Sequence, residues 1–237
     1  MMRTLIAALL LACTSSATLA APVIFSAAYY STSAFASAGN VLDGVNEGFS
    51  PPLPVTSDAS ALGLTGTASA FGFADTGLLV VTTSADGTGE QADAAATARF
   101  FGTLAGMTGG AVNLFVDFDH QLDTTGDALG SLSLLISVTS GSGLLFNQTY
   151  DTSSDLQLGF LLPAGSSSFD LTLIADGTAL DGQAFSLGSV EFELRTVPEP
   201  GALALSAIAL AGLLGVRRRR TPQARPGNRD TDRPRGR

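Results

Sequence analysis

The 237-residue sequence predicts an all-β domain, an antiparallel β-sandwich of jelly-roll-like form over residues 21–197, followed by one C-terminal transmembrane helix. Three observations carry the prediction. Short runs of alternating apolar and polar residues recur along the chain, each giving a strand with one buried and one wet face. Glycine, serine and threonine are abundant between residues 22 and 197, and long helical patterns are missing there. Asp-Gly pairs, at Asp43-Gly44, Asp86-Gly87, Asp176-Gly177 and Asp181-Gly182, stand between the runs, where a tight turn calls for a positive φ.

The runs follow in order. Residues 22–61 are the hardest to place: Pro51-Pro52-Leu53-Pro54 belongs to a loop or an edge, and the Ala/Ser-rich stretch before it promises only weak pairing. Leu78-Leu79-Val80-Val81 is apolar on both faces and suits a central strand. Ala94 to Leu104 and Gly143 to Tyr150 are weaker strand signals. The clearest alternation sets Val112, Leu114, Val116 and Phe118 against Asn113, Asp117 and Asp119, with Phe115 an aromatic on the outward side. Leu132, Leu134, Ile136 and Val138 oppose three serines. Leu156, Leu158, Phe160 and Leu162 form a further set, and Phe169, Leu171 and Leu173 another. Val190, Phe192 and Leu194 against Glu191, Glu193 and Arg195 complete the series and run almost directly into Pro198. No repeat of fixed period is present, which argues against a solenoid or propeller.

Both ends carry addresses. Arg3, the apolar Leu5 to Ala12 and the small residues after them form a secretory signal peptide over residues 1–20. Cleavage falls after Ala20 and leaves Ala21 first, since a cut after Ala21 would abut Pro22. Leu10-Leu11-Ala12-Cys13 is similar to a lipoprotein box, which would acylate Cys13, although the apolar stretch before it is short for that role. Near the other end, Pro198-Glu199-Pro200 is followed by an uncharged apolar run from Gly201 to Val216 and then by Arg217, Arg218, Arg219 and Arg220. Sixteen residues rise about 24 Å as a helix, short of a hydrocarbon core of roughly 30 Å, and snorkelling arginines make up part of the difference. The arginines fix that end on the cytoplasmic side. Residues 221–237, with arginines among Pro, Gly, Asn and Asp, have the composition of a disordered cytoplasmic basic tail.

This order of Pro-Glu-Pro, apolar segment and basic cluster resembles the C-terminal sorting signal of the PEP-CTERM family of bacterial exported proteins. The resemblance covers residues 198–220, and the 17-residue tail is longer than the few basic residues that usually end such signals. It implies that an integral-membrane protease, exosortase, cuts near the tripeptide, and it links the protein to exopolysaccharide and biofilm.

Charge divides the chain. Between residues 22 and 197 eighteen Asp and Glu stand against Arg99 and Arg195, a net of −16, and lysine is absent throughout. Such a domain repels nucleic acid and anionic lipid, stays soluble and attracts divalent cations. Removal of the signal peptide leaves no cysteine, hence no disulfide and no thiolate metal site. His120 is the one histidine, and no nucleophile elbow, zinc motif or phosphate loop accompanies it. A hydrolase would need His120 and a distant serine. Asp117, Asp119, Asp123 and Asp127 bracket one presumed loop and offer oxygen ligands to Ca²⁺, but Leu122 and Ala128 occupy the Gly and Glu positions of an EF-hand. Asp86 to Asp93 fits a polar hairpin loop. The absence of Trp and the small number of Tyr weaken a carbohydrate-binding reading.

The expectation is a non-enzymatic, cofactor-free surface or extracellular-matrix protein of a Gram-negative bacterium. Its partners would be the export translocon, the inner membrane in transit, an exosortase-like protease and exopolysaccharide, and not nucleic acid. The rival readings are a carbohydrate- or calcium-binding module and a permanently anchored single-span protein.

Overall fold

Alternation of small or branched apolar residues with Ser, Thr and Asp commits the chain to extended structure, and the result is an antiparallel all-β architecture. The computed structural model describes residues 23–49 and 54–197. No helix occurs among them. The elements are β1 (Ala27–Ala38), β2 (Val41–Phe49), β3 (Val55–Leu62), β4 (Gly66–Asp75), β5 (Leu78–Ser140), β6 (Gly143–Tyr150) and β7 (Ser154–Thr196). All belong to one sheet whose path is β2-β1-β5-β4-β3, with β6 and β7 also pairing β5.

β5 and β7 are far longer than ordinary strands. Register shifts break β5 into segments 78–88, 92–104, 107–126 and 128–140, and β7 pairs with them through its parts 154–165, 167–179 and 181–196. Following the pairings gives two runs of six strands each. The first is β2, β1, 92–104, 167–179, 128–140 and β6. The second is β3, β4, 78–88, 181–196, 107–126 and 154–165. The chain therefore passes repeatedly from one run to the other at bends.

Side chains from the two runs meet. Thr32 of β1 and Ser57 of β3 share a buried hydroxyl hydrogen bond of 2.6 Å. Phe100 and Phe192 lie with ring centroids 4.7 Å apart, and Phe160 and Phe169 5.9 Å apart. At one end the buried face is alanine, with Ala34, Ala36, Ala59, Ala70, Ala94 and Ala96 all nearly inaccessible. Gly72 of β4 continues this: a Cβ there would stand 2.9 Å from the Thr97 carbonyl and 3.2 Å from Thr32 Cβ. Towards the other end the core is filled by Phe100, Phe118, Phe169, Leu134, Ile136 and Leu171, each under 2 % exposed. Burying a Leu or Phe side chain of this kind stabilises the fold by about 1.5–3 kcal/mol.

Every clear alternating run is a strand with its apolar set inward, and Leu78 to Val81 is a strand inside the second run. Two expectations are corrected. The Ala/Ser-rich stretch is β1, paired on both sides and interior to the first run, because its alanines let the opposing layer come close. Of the four Asp-Gly pairs, Asp43-Gly44, Asp86-Gly87 and Asp176-Gly177 lie inside strands without a positive φ. Only Asp181-Gly182 is at a bend, with Gly182 at φ 150° opposite Gly126 at φ 63°. Residues 51–53 of the proline cluster lie outside the described residues.

Candidate functional site

The last strand segment leads to the sorting tripeptide, and its residues alternate strictly. Val190 and Leu194 are buried and Phe192 packs against the core, while Glu191, Glu193 and Arg195 point outward. Val23 N–H donates to the Leu194 carbonyl at 2.9 Å, and Val197 N–H donates to the Ala111 carbonyl at 2.9 Å. Outside, Arg195 pairs with Glu193 at 2.5 Å and lies 5.1 Å from the centroid of the Phe115 ring, so the outward aromatic is covered by a guanidinium. Hydrogen bonding to Arg195 holds the Glu193 carboxyl below its ordinary range. The chain is thus bonded into the sheet as far as Val197. Pro198, Glu199, Pro200, the run 201–216, Arg217 to Arg220, and the cleavage pair Ala20 and Ala21 lie outside the described residues. Among those described, no helix is long and apolar enough to cross a membrane.

The acidic candidates do not bracket a loop. Residues 110–126 are continuous strand, so Asp117, Asp119 and Asp123 stand along one outward face, and Asp127 follows at the next bend. A spacing of about 3.3 Å per residue separates Asp117 from Asp123 by roughly 20 Å. Cross-strand pairing instead sets Asp117 between Asp155 and Glu191, one on each neighbouring strand. Desolvation, then the nearby Asp155, Asp119 and Glu191 carboxylates, push the Asp117 carboxyl above its ordinary range. Asp117, Asp155 and Glu191 line an open groove of about 780 Å³ together with Thr76, Phe115 and Gln157. No group of three or more His, Cys, Asp or Glu among the described residues is arranged to hold a metal ion.

His120 continues the same strand, its ring 6.0 Å from that of Phe118. The nearest serine arrangement involves its backbone: His120 N–H donates to Ser153 Oγ at 2.9 Å, and that hydroxyl donates back to the His120 carbonyl at 3.4 Å. Among the described residues no hydroxyl bonds the imidazole.

A second surface comes from residues that sequence reasoning did not single out. On the outward face of the first run, Arg99 forks onto Asp170, with Nε to Oδ1 at 2.8 Å and the second arm on Oδ2. Beside it Tyr29, 43 % exposed, extends over Gly48, where any Cβ would overlap its hydroxyl. Ser31, Asn46, Thr97 and Thr172 complete a groove of about 510 Å³. The outward facing of Asp170 was legible from alternation. The pairing that gathers residues 29, 48, 99 and 170 was not, because it joins strands up to 141 positions apart.

The fold and the C-terminal stretch define a class: a β-rich domain bearing a sorting signal. Residues 196–220 match the model of the PEP-CTERM protein-sorting motif, so the chain carries a PEP-CTERM sorting signal. The motif marks an exported protein, held first as a membrane-anchored precursor and processed by exosortase, a membrane protease, on its way to the surface. No curated protein matches the chain.

Proposed function

We propose that the chain is a non-enzymatic surface or extracellular-matrix protein of a Gram-negative bacterium, with a structural or adhesive role linked to exopolysaccharide or biofilm. Its two runs form a jelly-roll-like sandwich that needs no cofactor. Residues 1–20 direct it through the export translocon, residues 201–216 hold it transiently in the inner membrane, and Arg217 to Arg220 keep that end cytoplasmic. Exosortase then cuts near Pro198-Glu199-Pro200. The observation that carries this reading is the junction: the sorting motif begins at residue 196, where Val197 N–H still bonds the Ala111 carbonyl of the sheet. Intact mass and C-terminal sequence of the protein recovered from the cell surface or medium provide the test. The expected C-terminus lies near Pro198 to Gly201 and is lost in Glu199→Ala. An uncut chain retained in the inner membrane overturns processing and favours a permanent single-span anchor.

A second reading rests on the Tyr29 groove. An exposed ring beside a fixed Arg–Asp pair and several hydroxyls suits a sugar: the ring packs on its C–H face and the polar groups bond its hydroxyls. Binding of the purified host exopolysaccharide should weaken roughly threefold to tenfold in Tyr29→Ala. Equal binding by the variant, or none by the parent, removes this reading.

A further inference from the structure

Strand β6 closes the first run, paired on one side by Leu134–Ser140 and, among the described residues, by nothing on the other. Among the described residues its outer edge therefore presents unpaired backbone N–H and C=O groups, the feature that invites another strand. Natural edges are blunted by charge, proline or a covering contact. β6, Gly-Leu-Leu-Phe-Asn-Gln-Thr-Tyr, has neither charge nor proline, and Leu144 and Leu145 are exposed. The second run ends on the same side, at segment 154–165. Between the two edges Phe146, Tyr150, Leu156, Leu158 and Phe160 are only partly buried, and the Phe146 and Phe160 rings meet at 5.7 Å.

The opposite side of the domain is built differently. There Asp43 of β2 reaches across to β3 and accepts from the Ser60 N–H at 2.9 Å, and the two edges carry Asp43, Glu47 and Asp58. One side is cross-linked and charged. The other is open, apolar and uncharged along β6.

We propose that the open side is an interface between two copies of this chain, in which β6 pairs antiparallel with β6 of a second copy and segment 154–165 lies against its counterpart. Charge selects the occupant. A domain with a net of −16 between residues 22 and 197 repels its own copies over most of its surface, and the charge-free β6 is where two copies approach with least opposition. A basic partner would be drawn to the carboxylates of the other faces and finds none on β6. Self-pairing needs no complementary charge, and a two-fold axis lets one strand serve both sides. Parity fixes the register. Residues directly opposite in an antiparallel pair face the same way. Keeping Phe146 and Tyr150 inward in both copies therefore requires a residue to stand opposite itself, at Phe146 or Asn147. The inference rests on the two facing runs and is independent of the sorting motif.

The test uses the full chain in detergent with Cys13→Ser, which removes its only cysteine. Phe146→Cys and Asn147→Cys are introduced singly, with Asp58→Cys on β3 as control, and the proteins are oxidised and run without reductant. A homodimer band at 146 or 147, with Asp58→Cys monomeric, is the expected result. Monomer at both β6 positions, equal dimer from Asp58→Cys, or an adduct with a different protein in cells overturns the proposal. Asn147→Lys sets like charges opposite each other or diagonally adjacent across the two-fold axis and should weaken dimerisation measured by sedimentation about tenfold, with the β-sheet circular-dichroism signal kept. Unchanged self-association in that variant also overturns it.

Discussion

At the scale of single residues, two side chains sit where the sheet places them at a cost. Thr83 is fully buried and its hydroxyl has no hydrogen-bond partner among the described residues. A buried polar atom left unsatisfied costs about 1–3 kcal/mol, and valine has nearly the same shape without it. Thr83→Val should therefore raise unfolding stability by about 1 kcal/mol in urea titration; a loss would mean that the hydroxyl has a partner after all. Asp117 is the electrostatic counterpart. Desolvation and the facing carboxylates raise its folded pKa, so the folded chain binds that proton more tightly than the unfolded chain. The favourable contribution is full at acid pH, below the ordinary carboxylate range, and is lost as pH rises through the raised value. Asp117→Asn should accordingly raise the melting temperature at about pH 7, with a gain that fades towards about pH 3. A gain of the same size at both pH values would show that charge is not its source.

At the scale of elements, what alternation reveals is facing, and what it hides is bending. Runs such as 112–118 and 132–138 were legible because each inward apolar residue is large and two of the three positions between them are polar. β1 was not, since alanine pairs as well as valine once the opposite layer comes close enough to cover it. Nor were the bends in β5 and β7. Of the four Asp-Gly pairs only Asp181-Gly182 marks such a bend, and Gly126, which no Asp precedes, faces it there; the positive φ values of Gly126 and Gly182 allow two backbones to touch. A Cβ at Gly126 would collide with the Asp181 carbonyl, and one at Gly182 with the Thr125 carbonyl. These atoms are backbone and cannot rotate away. Gly126→Ala should cost roughly 2 kcal/mol or more, adding steric displacement to the left-handed conformation. The exposed Gly141, with nothing near its Cβ and an ordinary φ, provides the control: Gly141→Ala should change stability by less than about 0.5 kcal/mol. The acidic set failed as a loop for the same reason. Residues 117 and 119 were visible as outward positions, but Asp117's true neighbours, Asp155 and Glu191, come from strands that only the pairing brings together.

At the scale of the whole molecule, the dominant fact is uncompensated negative charge on a domain with few internal ion pairs. Arg99 to Asp170 and Arg195 to Glu193 are the pairs among the described residues, and both are largely exposed. The remaining carboxylates oppose one another across outward faces, so folding concentrates like charge that the unfolded chain spreads out. Counterions should screen this repulsion, the Debye length falling from about 30 Å at 0.01 M salt to about 3 Å at 1 M. Raising NaCl through that range should therefore increase the melting temperature by several degrees, about the shift expected from 1 kcal/mol or more in a domain of this size. The same experiment separates general screening from a cation site. CaCl₂ matched in ionic strength should move the melting temperature as NaCl does if the carboxylates act only as a diffuse charge. A larger, saturable shift with Ca²⁺ would show that carboxylates from different strands, such as Asp117, Asp155 and Glu191, close on the ion, and would return calcium binding to the reading of this surface.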